Sequence, residues 1–122
     1  MQPKSSIPAP RPVVTYPTLV GKVLAQRRQS LGIKQSDLAA ALKMSQSAYS
    51  RLESGDSVLN LAQLHIIAPQ LGMSPTEALN SADQYAARLR QQGVDVVSEK
   101  PVNPAAVAIG LGLLVALLLA SA

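Results

Sequence analysis

The chain has 122 residues, a formal net charge of +4, one histidine and no cysteine. This length fits one small domain with short additional segments. The composition offers no cluster of metal ligands, no cysteine and histidine nucleophile pair and no glycine-rich phosphate loop, which argues against catalysis. We therefore predict a protein that is not an enzyme and that has no metal, no cofactor and no small-molecule substrate.

Basic side chains are concentrated in the first half of the chain. Residues 1–51 hold eight lysines and arginines against one acidic residue, Asp37, whereas residues 52–122 hold three against six. A basic half is what attraction to phosphates requires, so double-stranded DNA is a candidate partner. The same charge would also suit an acidic protein or an anionic lipid.

The first predicted element is a flexible arm, and a helix follows it. Residues 1–17 hold five of the nine prolines and no sustained apolar period, which predicts a disordered or extended arm. The next stretch, Thr18 to Leu31, repeats apolar residues at helical spacing, and Gly32 is a suitable residue to end it. We predict helix one over this range.

Two short amphipathic segments come next, joined by a tight turn. The first runs from Gln35 to Leu42. The second begins after the N-cap residue Ser45, runs from Gln46 to Ser54, and ends before Gly55, a suitable C′ residue. Neither helix is long enough to be stable alone, so the apolar side of each must pack on the rest of the domain. That side includes Tyr49, which we predict to be a core residue.

The opposite side of the helix from Gln46 to Ser54 carries small or planar hydrogen-bonding groups. These residues are Gln46, Ser47, Ser50 and Arg51. Such side chains suit the major groove of DNA. On an exposed helix they are also commonly just solvated, and Arg51 has a further alternative, an ion pair with Asp37 or Glu53.

Two more helices complete the pattern. A fourth opens at the N-cap residue Asn60 and stops at Gly72. A fifth opens with the motif SPTE, which supplies a capping box and a proline at the first helical position, and it runs from Pro75 to about Gln92.

The stretches LAQRRQSLGIKQSDLAAALKMS and LESG match, in register, the phage-repressor and Cro type of helix-turn-helix domain. The chain resembles this family, the Xre family, over Val20 to Leu79. The resemblance implies an all-α, lambda-repressor-like domain of five helices that binds DNA. We accordingly expect this domain at residues 18–80 and an extension of its fifth helix at residues 81–93.

The resemblance also implies roles for individual residues. The DNA-binding positions are Gln35, Ser45, Gln46, Ser47, Ser50 and Arg51. Of these, Gln35 holds a phosphate and braces the recognition helix. Arg28 and Glu53 match a buried ion pair that links helix one to the recognition helix. The alternative for Arg28 is an ordinary basic surface patch.

Four features depart from the family pattern. The loop GDSVLN after the recognition helix lacks basic residues, which should lower affinity for DNA. Lys43 stands where glycine is usual and is expected to adopt a positive φ at a cost of roughly 1 kcal/mol. Lys34 replaces a serine or threonine cap. Pro69 is expected to kink the fourth helix or end it early.

The C-terminal segment AAVAIGLGLLVALLLA, residues 105–120, has no polar side chain. With the last two residues it would form about 27 Å of helix, against a hydrocarbon core of about 30 Å. We predict a transmembrane helix at residues 105–121, joined to the domain by a linker at residues 94–104. The alternative is a helix buried in this protein or in a partner.

A tail anchor of this kind predicts the location of the whole chain. Basic residues precede the segment and none follows it, so the N-terminal domain is expected in the cytoplasm and the helix from Ala105 to Ala120 in the inner membrane, as a single pass. Ala108, Gly112, Ala116 and Ala120 recur every four residues, a spacing that would let two tail helices approach closely in a homodimer.

Two functional classes remain open. The first is a membrane-tethered transcriptional regulator that reads an operator with the helix from Gln46 to Ser54. The second is a membrane-anchored adaptor of the RodZ kind, in which a similar fold contacts a cytoskeletal or membrane complex without binding DNA. Fold alone does not separate them. The polar face, Gln35 in register and the basic half favour DNA, whereas the loop GDSVLN, the membrane tail and Tyr49 favour a protein partner. We predict the regulator, with the adaptor as the alternative.

Overall fold

The computed structural model describes residues 10–99 and 103–121 of the chain. Within these residues six helices and two three-residue strands occur. In chain order they are β1 (Val13–Thr15), α1 (Tyr16–Ser30), α2 (Gln35–Ala41), α3 (Gln46–Ser54), α4 (Leu61–Gln70), α5 (Pro75–Gln91), β2 (Asp95–Val97) and α6 (Pro104–Ser121). The fold is mostly helical, as predicted, but the two strands were not expected.

The helix-turn-helix pair α2 and α3 has nearly the predicted bounds because local residues fix its ends. The Ser45 hydroxyl accepts a hydrogen bond from the backbone N–H of Ala48 at 3.1 Å, which caps α3. Gly55 ends α3 with φ +84°, and Lys43 occupies the turn with φ +58°. The positive φ predicted at Lys43 is therefore confirmed.

The helices α4 and α5 begin with reciprocal caps. Asn60 accepts from the N–H of Gln63 at 2.7 Å, and the Gln63 side chain accepts from the N–H of Asn60 at 2.9 Å. Ser74 and Glu77 make the same exchange at the start of α5. The helix α4 ends at Gln70, one residue after Pro69, which has no N–H to donate within the helix.

One apolar core joins all six helices. Its fully buried side chains come from the helices and from the residues that follow α4 and α5. The largest are Leu19, Leu24, Leu38, Tyr49, Ile67, Leu71, Leu89, Val94 and, from α6, Leu114. Because α3 contributes Tyr49 and Leu52 to this core, its opposite side faces outward.

The predicted arm and linker differ from what the structure contains. Within the arm, residues 13–15 form β1 and α1 begins at Tyr16, while residues 1–9 lie outside the described residues. Within the linker, residues 95–97 form β2, which pairs with β1 in parallel register, Val14 opposite Val96. The strands form because burial of valine and backbone pairing outweigh the bias of the neighbouring prolines toward open chain.

The predicted transmembrane helix is not supported. No helix among residues 10–99 and 103–121 is long and apolar enough to cross a membrane. The segment from Ala105 to Ala120 lies in α6 instead, packed against β1 and α5. Asn103 opens this helix by accepting from the N–H groups of Ala105 and Ala106.

One side of α6 fits closely on the domain. Ala106, Gly110 and Leu114, spaced four residues apart, are buried. A Cβ added at Gly110 would lie 2.1 Å from the carbonyl oxygen of Val13, so only glycine permits this approach to β1. At the other end, the Gln26 side chain donates to the carbonyl oxygen of Leu118 at 3.3 Å. The domain therefore covers one side of a helix that we predicted to lie in a membrane.

Tyr16 connects the start of α1 with α5. Its hydroxyl is expected to make the free energy of unfolding fall at alkaline pH. Its hydroxyl donates to Asp83 Oδ1 at 2.6 Å, and burial together with this hydrogen bond raises the pKa of Tyr16 from 10.0 to about 12. The folded state therefore keeps a proton that the unfolded state releases above pH 10. We expect the stability from this group to be complete below pH 10 and lost as pH rises through 12.

Urea unfolding at pH 9 and at pH 11.5 measures this effect. The Tyr16→Phe variant is the control, because it lacks the phenol and should lose less stability between the two pH values. Equal losses in the two proteins would contradict the prediction.

Candidate nucleic-acid interface

The outward side of α3 is a polar surface. Gln46, Ser47 and Arg51 are exposed there, and Ser50 beside them is half-buried. Ser45 is exposed too, but its hydroxyl is engaged in capping the helix. We call Gln46, Ser47, Ser50 and Arg51 the reading face; the structure places these four predicted residues together on one side of α3.

Arg51 is available to a ligand on the reading face. Among the described residues, the ion pairs are Arg11 with Asp95 and Arg28 with Glu53, so Arg51 pairs with neither of the acids considered as alternatives. A guanidinium presented from a helix in this way can donate two parallel hydrogen bonds to a guanine edge or bind a phosphate.

A buried polar network fixes α3 behind the reading face. Arg28 on α1 donates through Nε to Glu53 Oε2 at 2.7 Å and through a terminal nitrogen to Oε1 at 3.0 Å. Its other terminal nitrogen donates to the carbonyl oxygen of Ile33 at 2.9 Å. Only 11% of the Arg28 side chain and 6% of the Glu53 side chain are exposed, so Arg28 is not a surface patch. The hydrogen bonds to Glu53 raise the pKa of Arg28.

Gln35 belongs to the same network. Its side-chain amide donates to Glu53 Oε1 at 2.9 Å, which ties the start of α2 to the last turn of α3. Gln35 is half-buried. The structure thus places it where it braces the recognition helix; its phosphate contact stays a prediction.

Tyr49 lies beside this network as a buried residue, 1% exposed. Its hydroxyl has no hydrogen bond of normal geometry among the described residues. Burial, and then the negative charge of Glu53, raise the pKa of Tyr49. The ring therefore acts as an uncharged core side chain, with its hydroxyl directed toward the acid.

Two glycines set the distance between α1 and α3, and the sequence did not reveal them as part of the site. A Cβ added at Gly21 would lie 2.4 Å from the carbonyl oxygen of Glu53 and 2.5 Å from that of Leu52. One added at Gly55 would lie 2.2 Å from the Thr18 hydroxyl. A glycine inside a helical pattern is the one available signal, since it commonly has a packing reason.

The surroundings of the reading face are moderately basic. Lys34 at the N-cap of α2 and Lys43 in the turn before α3 are both exposed. The loop after α3 presents the exposed acid Asp56 and the exposed apolar residue Val58, and Leu61 at the start of α4 is exposed too. Among the described residues no group of histidine, cysteine or acidic side chains is arranged to hold a metal ion.

Comparisons with known proteins agree with this arrangement. Residues 24–77 match the family model described as helix-turn-helix. Two solved structures of the clp gene regulator ClgR from Corynebacterium glutamicum are similar, each with 26% sequence identity. One match covers 57% of this chain and 90% of that chain with a TM-score of 0.53; the other covers 68% and 86% with a TM-score of 0.60. No curated protein matches the chain. Residues 24–77 therefore hold a helix-turn-helix domain.

Proposed function

We propose that the protein is a DNA-binding transcriptional regulator that inserts α3 into the major groove. The observation that carries the proposal is the reading face, four polar residues on the outward side of a helix whose inward side is held by the core and by Glu53. Direct readout requires side chains held in a fixed register on the duplex, and this network fixes α3 relative to α1 and α2.

The proposed roles follow from chemistry. Arg51 would contact guanine or a phosphate, and Gln46 would pair with adenine or another base edge. Ser47 and Ser50 would contact whichever groups lie nearest. Gln35, Lys34 and Lys43 would bind backbone phosphates, which position the domain without specifying sequence. Similarity to a gene regulator in two solved structures supports this class of function.

The proposal does not include a membrane tether. The predicted anchor is α6, and the inner-membrane location, which depended on that anchor, stays a prediction from the sequence alone.

The test is selection of duplexes from a random library by the full chain, followed by fluorescence anisotropy at several salt concentrations. We expect Gln46→Ala and Arg51→Ala each to weaken the selected duplex by about 1–3 kcal/mol and to relax sequence preference. Gln84→Ala and Arg90→Ala, which change exposed residues of α5, are the matched controls and should leave binding unchanged. No retention of DNA at low salt, or equal effects of all four variants, would refute the proposal.

A second candidate is an adaptor that binds a protein through the same domain. Val58, in the loop after α3, and Leu61, the first residue of α4, are 70% and 73% exposed, and that loop has no basic residue. Exposed apolar side chains suit a protein contact better than a phosphate backbone. The adaptor would be favoured if the chain retains no duplex at low salt.

A further inference from the structure

The outward side of α6 is an apolar surface that the other described residues cover only in part. Its large side chains are Ile109, Leu111, Val115 and Leu119, with exposed fractions of 44%, 36%, 40% and 72%. The small residues between them, Ala108, Gly112, Ala116 and Ala120, are exposed as well. We call these eight residues the outer face of α6.

This surface is unusual for a helix at the edge of a domain. A surface helix normally turns a polar side to solvent, whereas a helix that is apolar all round is normally buried all round. Residues 105–120 contain no polar side chain, yet the domain buries only the side of Ala106, Gly110 and Leu114 and partly covers Leu113, Leu117 and Leu118 beside it. The uncovered half therefore calls for an apolar partner.

We propose that the outer face of α6 is the contact between two copies of this chain, paired helix against helix about a two-fold axis. The outer face has no charged side chain, so a copy of itself meets no repulsion there. A two-fold contact requires a surface that is complementary to itself, and small residues beside large ones supply both the hollows and the projections. No atom of the described residues lies within 4 Å of a Cβ added at Gly112, so within the described part of the chain the centre of this face is open to a neighbouring helix.

The size of the surface suits a pair. Four large side chains and four small ones leave roughly 500 Å² of accessible apolar surface on each copy, so pairing would bury roughly 1,000 Å², near the lower limit for a specific interface. We accordingly expect a dimer that forms at micromolar concentration rather than a permanent one.

The proposed contact also lies close to the reading helix. Val107 and Leu111 share a small pocket with Ser54, Gly55 and Asp56 at the end of α3. A dimer formed through α6 would therefore contain two α3 helices, each with its last turn near the contact between the copies. This consequence rests on the proposed function, but the pairing itself does not.

Sedimentation velocity of the full chain from about 1 to 100 μM, without DNA, tests the proposal, since micromolar affinity would populate both species in that range. The wild-type chain should pass from monomer to dimer. Leu119→Glu should weaken the dimer at least tenfold, because it places a charge in the contact. Leu61→Glu is the matched control, since Leu61 is 73% exposed at a site remote in sequence, and it should pair like the wild type.

A second variant keeps the test independent of charge. Gly112→Leu adds a side chain in open space, so the monomer should keep its helical circular dichroism while close approach of two helices is blocked. A wild-type chain that stays monomeric at all concentrations would overturn the proposal, as would equal weakening by both glutamate variants. So would a monomer that floats with phosphatidylcholine vesicles. Because the experiment contains no DNA, a chain that does not dimerise would not contradict the proposed DNA binding. A chain that does not bind DNA would likewise not contradict the proposed dimer.

Discussion

Replacing Glu53 with alanine is expected to lower the free energy of unfolding by about 3–5 kcal/mol, the cost of leaving a buried charge without its partner. The Glu53 carboxylate accepts two hydrogen bonds from Arg28 and one from Gln35. Arginine does not lose its proton in a protein, so Arg28 would remain charged in a site where its side chain is only 11% exposed. Water would have to enter between α1 and α3, or the helices would separate.

Urea unfolding at pH 7 followed by circular dichroism measures the effect. Asp95→Ala is the control, because it removes an acid from an arginine pair of similar length, Arg11 with Asp95 at 3.0 Å, whose side chains are 66% and 47% exposed. Exposed pairs contribute little, so this control should stay close to the wild type. A Glu53→Ala chain as stable as Asp95→Ala would contradict the buried-pair interpretation.

A double variant separates the charge from the contact. Arg28→Met with Glu53→Leu removes both charges and keeps apolar volume, so it should recover most of the stability lost by Glu53→Ala. It should not recover DNA binding to the same degree, because the hydrogen bonds that orient α3 would be gone. A double variant that binds DNA like the wild type would show that packing alone orients the helix.

Local residues explain why the recognition unit could be predicted from the sequence. The bounds of α3 depend on Ser45 and Gly55, which lie next to the helix that they end. Lys43 likewise takes its positive φ within a turn of a few residues. These features depend on neighbouring residues and not on distant parts of the chain. Once the buried side of α3 is predicted from its apolar residues, the reading face is the opposite side.

Contacts between distant segments explain what the sequence did not reveal. The strand β1 forms only because β2, some eighty residues later, supplies its backbone partner. Residues 105–120 of α6 have no polar side chain. The sequence pattern therefore does not show which side of this helix is buried. Its docking depends on Gly110 meeting Val13, a fit between shapes that composition does not encode.

Replacing Gly21 with alanine is expected to affect both stability and DNA binding. The added methyl group would lie 2.4 Å from the carbonyl oxygen of Glu53, closer than carbon and oxygen can approach, and the opposing atoms are backbone that cannot turn aside. Overpacking of this kind costs about 1–3 kcal/mol, even after the better helix propensity of alanine returns up to about 1 kcal/mol.

Urea unfolding compares this variant with Gly112→Ala, which makes the same substitution inside another helix. No atom of the described residues lies within 4 Å of the added Cβ at Gly112, so at a concentration where the chain is monomeric that variant should be as stable as the wild type or more so, by up to about 1 kcal/mol. Equal stability of the two variants would show that α1 and α3 are farther apart than the structure places them.

The affinity of Gly21→Ala for a selected duplex, measured where the variant is still folded, tests the link to function. Because the methyl group pushes against the last turn of α3, relief of the clash requires that helix to move away from α1. Arg51 and Gln46 would then leave the register that direct readout needs, so affinity should fall by about 1–3 kcal/mol although no residue of the reading face has changed. A folded Gly21→Ala chain with wild-type affinity would mean that α3 reads DNA without being held by α1.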